Sequence, residues 1–386
     1  DRELINGKAR LMVTNFTVRG EPAESFQSDL QYSNRVLTLF EPRVQISATQ
    51  QIRADIAKLV FDERKMYVTN VFSTADPDAV VHAIGPHAEH VIDPYHFLKP
   101  PLVHVDGIVP LHDPHDADLH FDVDGGDFQW WRFQVPRITG KVDWVGEHLA
   151  VRDVQTDFYL GKASGNADFD FLPNHTANYR FNLVASDANL HVLAKDLTEG
   201  KTNKLEGLLN LRVEVTGGNS ADLLSVQGAG RADLRDGLIW DIPIFGIFSP
   251  ALDTIMPGLG SSRARQGSAT FTITNGVIDS EDLKIETLMA RLRYWGTIDL
   301  KGAVNARMEA ELFRNTWVVG PVLSLALWPV SKTFEYKITG DIHKPKSEPV
   351  FIPRIFFFPL HPMQTIKDMI PPPEQSSTNL FPEVAP

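Results

Sequence analysis

Residues 290–312, ARLRYWGTIDLKGAVNARMEAEL, alternate between apolar and polar side chains over almost their whole length. Leu292 and Tyr294 fall on one parity, whereas arginines and glutamates fall on the other. A period of two predicts strands with one apolar and one solvated face, and Lys301-Gly302 divides the run into a hairpin. The pattern recurs along the chain, so the fold must cover a large apolar surface.

The same alternation predicts a mostly β fold. It occurs at residues 24–32, 35–48, 54–62, 65–72, 118–124, 141–144, 149–160, 167–171, 177–185, 205–215, 228–234, 268–274, 282–287 and 333–339, besides the run above. Turn-forming dipeptides lie between the runs: Asp106-Gly107, Asp236-Gly237, Asn275-Gly276 and Lys301-Gly302. They favour two-residue hairpin turns, and consecutive hairpins give an antiparallel meander.

Four short stretches predict helices that interrupt the meander as inserts. They cover residues 76–92, 187–197, 249–256 and 317–330. Asp76-Pro77 has the residue types of a helix N-terminus, and Leu190 and Leu193 belong to an apolar stripe. The last stretch is apolar on all sides apart from Ser324, so we expect it to be buried.

Composition narrows the range of functions that the chain can have. A formal charge of −12 argues against nucleic acid, which calls for clustered Lys and Arg. The absence of cysteine excludes disulfides and thiolate sites. The longest apolar run, residues 317–330, is too short for a transmembrane helix. The chain opens on Asp1 without a signal peptide, so we expect a mature or excised portion whose anchor is absent.

Some fifteen strands and few helices leave three ways to cover the apolar face: a closed barrel, a filled sandwich or a curled trough. Because the predicted helices are themselves apolar, we expect them to lie against the apolar face of the sheet. The fold class predicted is a long curled antiparallel β-meander, a groove or taco-like sheet with a few short apolar helical inserts. A sandwich packed without gaps remains open on strand pattern alone.

The densest polar cluster, HVDGIVPLHDPHDADLHFDVD, contains ligand-type residues from His112 to Asp124. From Asp118 onward the polar residues alternate with apolar ones, which is typical of the solvated face of a strand. We therefore favour a polar turn and strand face over a metal site. A metal-dependent hydrolase that uses the residues between His112 and His120 is the least favoured function.

Catalytic motifs are absent from the sequence. It has no G-x-S-x-G elbow and no Gly-rich loop before a helix. The carboxylate pairs Asp168/Asp170 and Glu309/Glu311 fall on strand faces that we expect to be solvated. We predict a protein that is not an enzyme and uses no cofactor.

Three aromatic segments stand out. QWWRFQV, with Trp130, Trp131 and Phe133, and WDIPIFGIF, with Trp240 and Phe245, are assigned to the core, with a groove lip or membrane edge as the alternative. RIFFFPLHP lies in the Pro-rich tail, and its three consecutive Phe cannot all face one side of a strand. That segment favours contact with a membrane or a partner, whereas the last residues of the tail have a disordered composition.

Between residues 205 and 351 the order of elements resembles the C-terminal region of the AsmA-like family, which is related to TamB. The likeness lies in the G-x-x-x-L-x-D-G-x-I run of GAGRADLRDGLI, the F-x-I-x-N-G-x-I run of FTITNGVI, and the closing YKITGDIHKP. The resemblance implies a periplasmic β-groove, anchored to the inner membrane of a Gram-negative envelope, that carries phospholipid toward the outer membrane. It implies no catalytic residues.

Together these observations predict three regions: an N-terminal β-groove segment, 1–204, with its helical insert near 76–92; an AsmA-like C-terminal groove region, 205–352; and a tail, 353–386. The predicted function is passive, non-enzymatic transfer of phospholipid or another acyl lipid between inner and outer membranes. The alternative is a periplasmic scaffold or assembly factor with a filled sandwich core. We expect a periplasmic protein, anchored by a segment absent from this chain, whose partners are either or both membranes and envelope proteins.

Strand parity gives sixteen candidate lipid-lining residues. They are Leu119, Phe121, Phe169, Phe181, Leu183, Leu209, Leu211, Val213, Phe271, Ile273, Leu292, Tyr294, Ile298, Met308, Phe334 and Ile338.

Overall fold

The computed structural model describes residues 6–84, 95–130, 133–173, 176–197, 204–247, 249, 261–288, 290–312 and 333–351. Strands hold 75% of these residues and helices 7%. All 21 strands belong to one antiparallel sheet, which confirms the predicted fold class.

The strands follow one another in a meander. They are β1 (Asn6–Val18), β2 (Glu21–Ser33), β3 (Val36–Gln45), β4 (Gln51–Arg53), β5 (Ile56–Val60), β6 (Lys65–Ser73), β7 (Tyr95–Pro110), β8 (Asp118–Trp130), β9 (Phe133–Val135), β10 (Ile138–Val145), β11 (His148–Phe158), β12 (Gly161–Phe171), β13 (Ala177–Asn189), β14 (Glu206–Asn219), β15 (Asp222–Leu238), β16 (Ala264–Thr274), β17 (Val277–Thr287), β18 (Ala290–Asp299), β19 (Ala303–Leu312), β20 (Thr333–Asp341) and β21 (Lys344–Phe351).

Each long strand pairs with its neighbours in the chain. The short strands β4 and β5 share one place between β3 and β6, and β9 pairs with the end of β8. β13 pairs with β14 across the boundary expected at residue 204, and the division into two regions stays a prediction. Within the described part of the chain, β1 pairs only with β2 and β21 only with β20.

Within the described residues, two eight-residue helices accompany the sheet: α1 (Pro77–Ile84) and α2 (Leu190–Leu197). Each begins with a side-chain cap, because Asp76 Oδ1 accepts from the amide of Asp78 and Asn189 Oδ1 accepts from the amide of Val192. Single helical turns occur at Pro114–Asp116 and Pro243–Gly246.

The longer connections gather at one end of the sheet, where β6 ends and β7 begins; we call it the insert end. In an antiparallel meander every second connection lies at the same end. Helix α1 joins β6 to β7, α2 joins β13 to β14, and residues 239–263 join β15 to β16, all at this end. β19 also ends there and β20 begins there. The opposite end holds mostly tight turns, such as Asn275-Gly276.

Helix α1 links strands that are not neighbours. It packs against both β2 and β7, and His82 Nδ1 lies 2.6 Å from Glu21 Oε1 at the start of β2. Four strand spacings of roughly 4.8 Å separate β2 from β7, whereas a helix of this length spans only about 12 Å. A sheet that curls at this end brings the two strands within reach of one short helix.

β-Bulges interrupt many of the pairings and supply curvature. Several bulged residues have a left-handed backbone, among them Asn70 (φ 50°), Asp153 (φ 53°) and Asp187 (φ 54°). A bulge bends its strand and increases the local twist. Bulges repeated along a meander are therefore a means of curling it.

Two of the four predicted hairpin turns are wrong. Asn275-Gly276 and Lys301-Gly302 do join strands, but Asp106-Gly107 lies inside β7 and Asp236-Gly237 inside β15. Gly107 (φ 132°) and Asp236 (φ 52°) keep the positive φ that favours such residues. The dipeptides mark irregularities within long strands, because a bulge needs the same backbone conformation as a turn.

Several strands were not predicted, and proline explains two of them. β7 contains Pro100 and Pro101 before the stretch where it pairs with β6 as well as β8, and β21 contains Pro345 and Pro349 at the sheet edge. Proline is tolerated where a backbone N–H has no strand to face. The short β4 and β9 were also missed.

The predicted helices agree with the structure to different extents. The first begins at Pro77 as expected, and residues 85–92 lie outside the described residues. The second starts at Leu190 instead of Asp187, because Asp187 forms the bulge near the end of β13. Nearly all of the third, 249–256, and the whole of the fourth, 317–330, lie outside the described residues, as does the tail from residue 352 onward.

In the parts of the chain that the structure describes, we find no helix with the length and hydropathy needed to cross a membrane.

Candidate functional site

One face of the sheet is apolar from β2 to β20, and we call it the apolar face. Residues directly opposite each other on antiparallel strands point to the same side. Phe121 lies opposite Val142, which lies opposite Val151, and the same relation continues from strand to strand. Followed in this way, the register places all sixteen predicted lining residues on the apolar face.

The same register adds residues that the prediction omitted. β7, β10 and β11 also contribute to the apolar face, with Val103, Val105, Val142, Trp144 and Val151. Their signal was the same strand parity. β10 and β11 had been predicted as strands without any lining residue being chosen from them, whereas β7 had not been recognised as a strand. The apolar face is therefore continuous between β8 and β12, where the predicted set had a gap.

The apolar face is uneven because two strands contribute small residues. On β12 the residues that point to this side from Gly161 to Ala167 are Gly or Ala, and on β15 Gly228 and Gly230 do the same. The ring of Phe271 occupies the space over Gly230: a Cβ there would lie 2.3 Å from Phe271 Cζ. The large side chains of β13 and β14 therefore project above the small residues of β12 on one side and of β15 on the other.

Burial divides the sixteen lining residues into two groups. Seven are buried: Leu119, Ile273, Leu292, Tyr294, Met308, Phe334 and Ile338. Nine are half-buried: Phe121, Phe169, Phe181, Leu183, Leu209, Leu211, Val213, Phe271 and Ile298. Eight of those nine lie on β8 to β16, so this central part of the apolar face is partly exposed. Phe181, Val213 and Phe271 pack there around a small buried cluster of Val215, Val226 and Ile273.

The buried group is concentrated on β18 to β20. Leu292, Met308 and Phe334 are at most 1% exposed and belong to one cluster with Ile239 and Phe245 of the β15–β16 connection. The rings of Phe245 and Tyr294 meet edge to face at 5.1 Å between centroids. Burial raises the pKa of the Tyr294 phenol far above its usual value. This part of the face is a packed core.

A small cleft remains beside that core. It has a volume of about 60 Å³ and is lined mainly by apolar side chains of β17 to β20, including Leu283, Ile298, Val304 and Ile338. It opens on the apolar face next to the half-buried Ile298.

The opposite, polar face carries ion pairs between neighbouring strands. Arg10 Nε lies 2.7 Å from Asp29 Oδ1, and Arg137 Nη2 lies 2.7 Å from Asp124 Oδ1. A shallow cavity of about 310 Å³ on this side is bordered by paired groups, including Arg231 with Asp233 and Lys284 with Glu286. Its lining has three basic residues and two acidic ones, and the third base, Arg235, is paired with Asp187 outside the cavity.

Asp168 departs from its expected solvated position. Its side chain is only 16% exposed and is paired with Arg152 and, at 3.2 Å, with Nε of Arg180. Burial pushes the pKa of Asp168 up, but the hydrogen bonds and charges of the two arginines outweigh it and leave the pKa below its usual value. The two arginines therefore keep the Asp168 carboxylate ionised.

The histidine-rich stretch forms two separate groups, each built around one imidazole. His115 lies between Asp113 (2.6 Å) and Glu147 (2.9 Å), and His120 Nδ1 lies 2.6 Å from Asp143 Oδ1. Hydrogen bonds to these carboxylates raise the pKa of both imidazoles. Over the described residues, no three His, Asp or Glu side chains converge in a way that could hold a metal ion.

The aromatic segments are only partly described. Phe245 is buried, as a core assignment requires, and the half-buried Trp240 donates from Nε1 to the carbonyl of Ser262 at 2.8 Å. Phe133 is half-buried, with its ring 6.4 Å from that of Phe158. The side chain of Trp130, residue Trp131 and the RIFFFPLHP segment lie outside the described residues.

Comparison of the chain with family models, with curated proteins and with solved structures gave no match.

Proposed function

We propose that the apolar face binds acyl chains and that the protein transfers lipid passively, without catalysis. The observation that carries the proposal is the half-buried central part of that face, from Leu209, Leu211 and Val213 on β14 outward to Phe121 and Phe271. Most residues there alternate with a polar one that points to the opposite side. A continuous apolar surface of this extent favours contact with other apolar molecules.

Acyl chains suit this surface better than a compact polar ligand does. The central strands present mainly hydrocarbon side chains and Gly or Ala on this face, and their charged groups lie on the polar face, where Asp168 pairs across strands with Arg180. Burial of apolar area, at roughly 25 cal/mol per Å², can hold a flexible chain without directional bonds. Headgroups would lie in water at the rim of the sheet.

The insert end is the side that we assign to membrane contact. The chain's most apolar stretch, residues 317–330, connects β19 to β20 and so is attached at this end, and β21 runs toward it before the Phe-rich tail. The resemblance to the AsmA-like family favours the same function, in the periplasm and between two membranes. Envelope proteins are the partners expected with it.

The scaffold alternative has its own support in the packed core on β18 to β20. Met308 is 0% exposed and Ile338 is 1% exposed, as in a filled domain. If the whole apolar face were covered in this way, the sheet would serve assembly rather than transport. Lipid binding separates the two functions, because a filled core offers acyl chains no surface.

Transfer of a fluorescent phospholipid between donor and acceptor vesicles tests the proposal. Phe181→Asp places a charge on the apolar face, and Asn182→Asp places the same charge on the polar face of the same strand. We expect the first variant to lose transfer and the second to keep it, with both folded by circular dichroism. Equal transfer by the two folded variants would overturn the proposal.

A further inference from the structure

The two edges of the sheet are protected to different degrees. β21 has Pro345 and Pro349, which lack N–H donors, and charged residues at Lys344, Lys346 and Glu348. β1 is 13 residues long, contains the charged Lys8 and Arg10, and has no proline. Proline is a common means of preventing an edge strand from pairing with another chain, because it has no N–H to donate. The chain therefore blocks one edge and leaves the other competent to pair.

β1 also exposes large apolar side chains. Met12 is 67% exposed and Leu11 38%, and Val13 and Val18 are exposed as well. Leu11 and Val13 lie opposite Ser28 and Phe26 of β2 and so continue the apolar face to its edge. Among the described residues, β1 has a strand on one side only. An unpaired, apolar, proline-free edge of this length is a template for another strand.

We propose that β1 pairs antiparallel with β1 of a second copy of this chain, across a two-fold axis perpendicular to the sheet. Pairing of β1 with β21 of another copy would build an open chain of molecules, and the prolines of β21 oppose it. Pairing of like edges closes a dimer. The inference is independent of what the apolar face binds.

The charges of β1 restrict the register. With such an axis, a residue of β1 can lie opposite only residues that point to the same face. One residue of β1 therefore lies opposite its own copy, with the axis midway between the two, and we describe that residue as on the axis. An axis at Arg10 would place two arginines opposite each other. With Leu11 on the axis, Arg10 lies opposite Met12 of the partner and Val13 opposite Ala9; with Met12 on the axis, Arg10 lies opposite Thr14. Both registers separate the cations, and both keep the two apolar faces on one side.

Single-cysteine cross-linking tests this interface, because the chain has no cysteine of its own. Opposed residues of antiparallel strands have Cα atoms about 4.5–5.5 Å apart, which a disulfide can bridge. We expect Leu11→Cys or Met12→Cys to give an oxidised dimer. Lys8→Cys, which either register places roughly 20 Å or more from its own copy, and Val350→Cys on β21 should not.

Sedimentation of the cysteine-free chain completes the test. We expect a monomer–dimer equilibrium that Leu11→Lys shifts toward monomer and Val350→Lys, an exposed apolar residue on the other edge, leaves unchanged. A monomer at every concentration tested, or cross-linking at Val350 equal to that at Leu11 and Met12, would contradict the proposal. A dimer unaffected by Leu11→Lys would also contradict it, since the contact would then lie elsewhere.

Discussion

The backbone N–H of Asp153 donates a hydrogen bond of 2.8 Å to Oδ1 of Asn166 across the β11–β12 pair. Asp153 has a left-handed backbone and sits in a bulge, where its amide has no ladder partner on the regular register. The arrangement recurs: Asn70 donates to Asp106 at 2.7 Å, and Asp187 donates to Asn210 at 2.9 Å. In each case the acceptor is on the following strand. These side chains stabilise the bulges that bend the sheet.

Removing one such acceptor should weaken the sheet locally. Asn166→Ala leaves the Asp153 amide without its partner, so we expect a loss of about 1 kcal/mol in the free energy of unfolding. Asn305→Ala, at an exposed position of the polar face in a regular strand pair, is the matched control and should change it little. Urea unfolding measures both. Equal effects of the two substitutions would refute a special role for Asn166.

The loss of stability on truncation of a side chain of the apolar face should increase with the burial of that side chain. Leu292→Ala removes a side chain that is 1% exposed and should cost about 2–5 kcal/mol. Leu211→Ala makes the same change at a half-buried position and should cost less, because part of that side chain already contacts water. Chemical denaturation of the two variants checks the order. A larger loss at Leu211 would show that the central part of the face is packed rather than accessible.

Glu286 should make the protein sensitive to acid. Its hydrogen bond with Lys284 at 2.6 Å, with further bonds from Gln266 and Arg291, lowers its pKa from 4.5 to about 2. Because the folded-state pKa is depressed, the stabilisation is present above pH 4.5 and is lost as the pH falls toward 2.

Glu286→Gln tests that window. The wild-type chain should be more stable than the variant at pH 7, and the difference should shrink between pH 4.5 and pH 2. Glu281→Gln, at an exposed carboxylate of the same strand, is the control. A difference that stays constant over this range would mean that Glu286 titrates alike in the folded and unfolded chains.

The contribution of His120 to stability should have the opposite pH dependence to that of Glu286. Its hydrogen bond to Asp143, with the nearby charge of Asp118, raises the imidazole pKa above 6.5. A raised folded-state pKa stabilises the fold fully below pH 6.5, and this contribution disappears as the pH rises through the folded value. NMR titration of the ring should give a midpoint above 6.5, and Asp143→Asn should lower it. A midpoint that Asp143→Asn leaves unchanged would rule out this pair as the cause.

Period-two alternation was enough to predict most of the fold. It predicted the mostly β meander, and the sixteen residues chosen by parity share one face because the register preserves parity from strand to strand. The bulges escaped prediction, although they leave a signal: two apolar residues three apart with Asn or Asp just before the second, as in V-T-N-V, V-R-D-V and A-S-D-A. The predicted runs 65–72 and 149–160 passed through two of these motifs, and the run 177–185 stopped at the third.

Burial within the apolar face could not be predicted from parity. Leu211 and Leu292 both follow the apolar parity of their strands, yet only Leu292 lies in the cluster that includes Phe245. That difference depends on where the β15–β16 connection packs, which is a long-range contact. The edge asymmetry could have been predicted from Pro345 and Pro349, had residues 344–351 been recognised as a strand.

The most direct test of the central proposal is organic extraction of the purified chain followed by lipid mass spectrometry. We expect phospholipid or another acyl lipid at a reproducible ratio to the wild-type protein, a reduced ratio for Leu211→Asp, and the wild-type ratio for Thr216→Asp, an exposed polar position on the same strand. Absence of lipid at any stoichiometry from the folded wild-type chain, after exposure to phospholipid vesicles, would contradict the account.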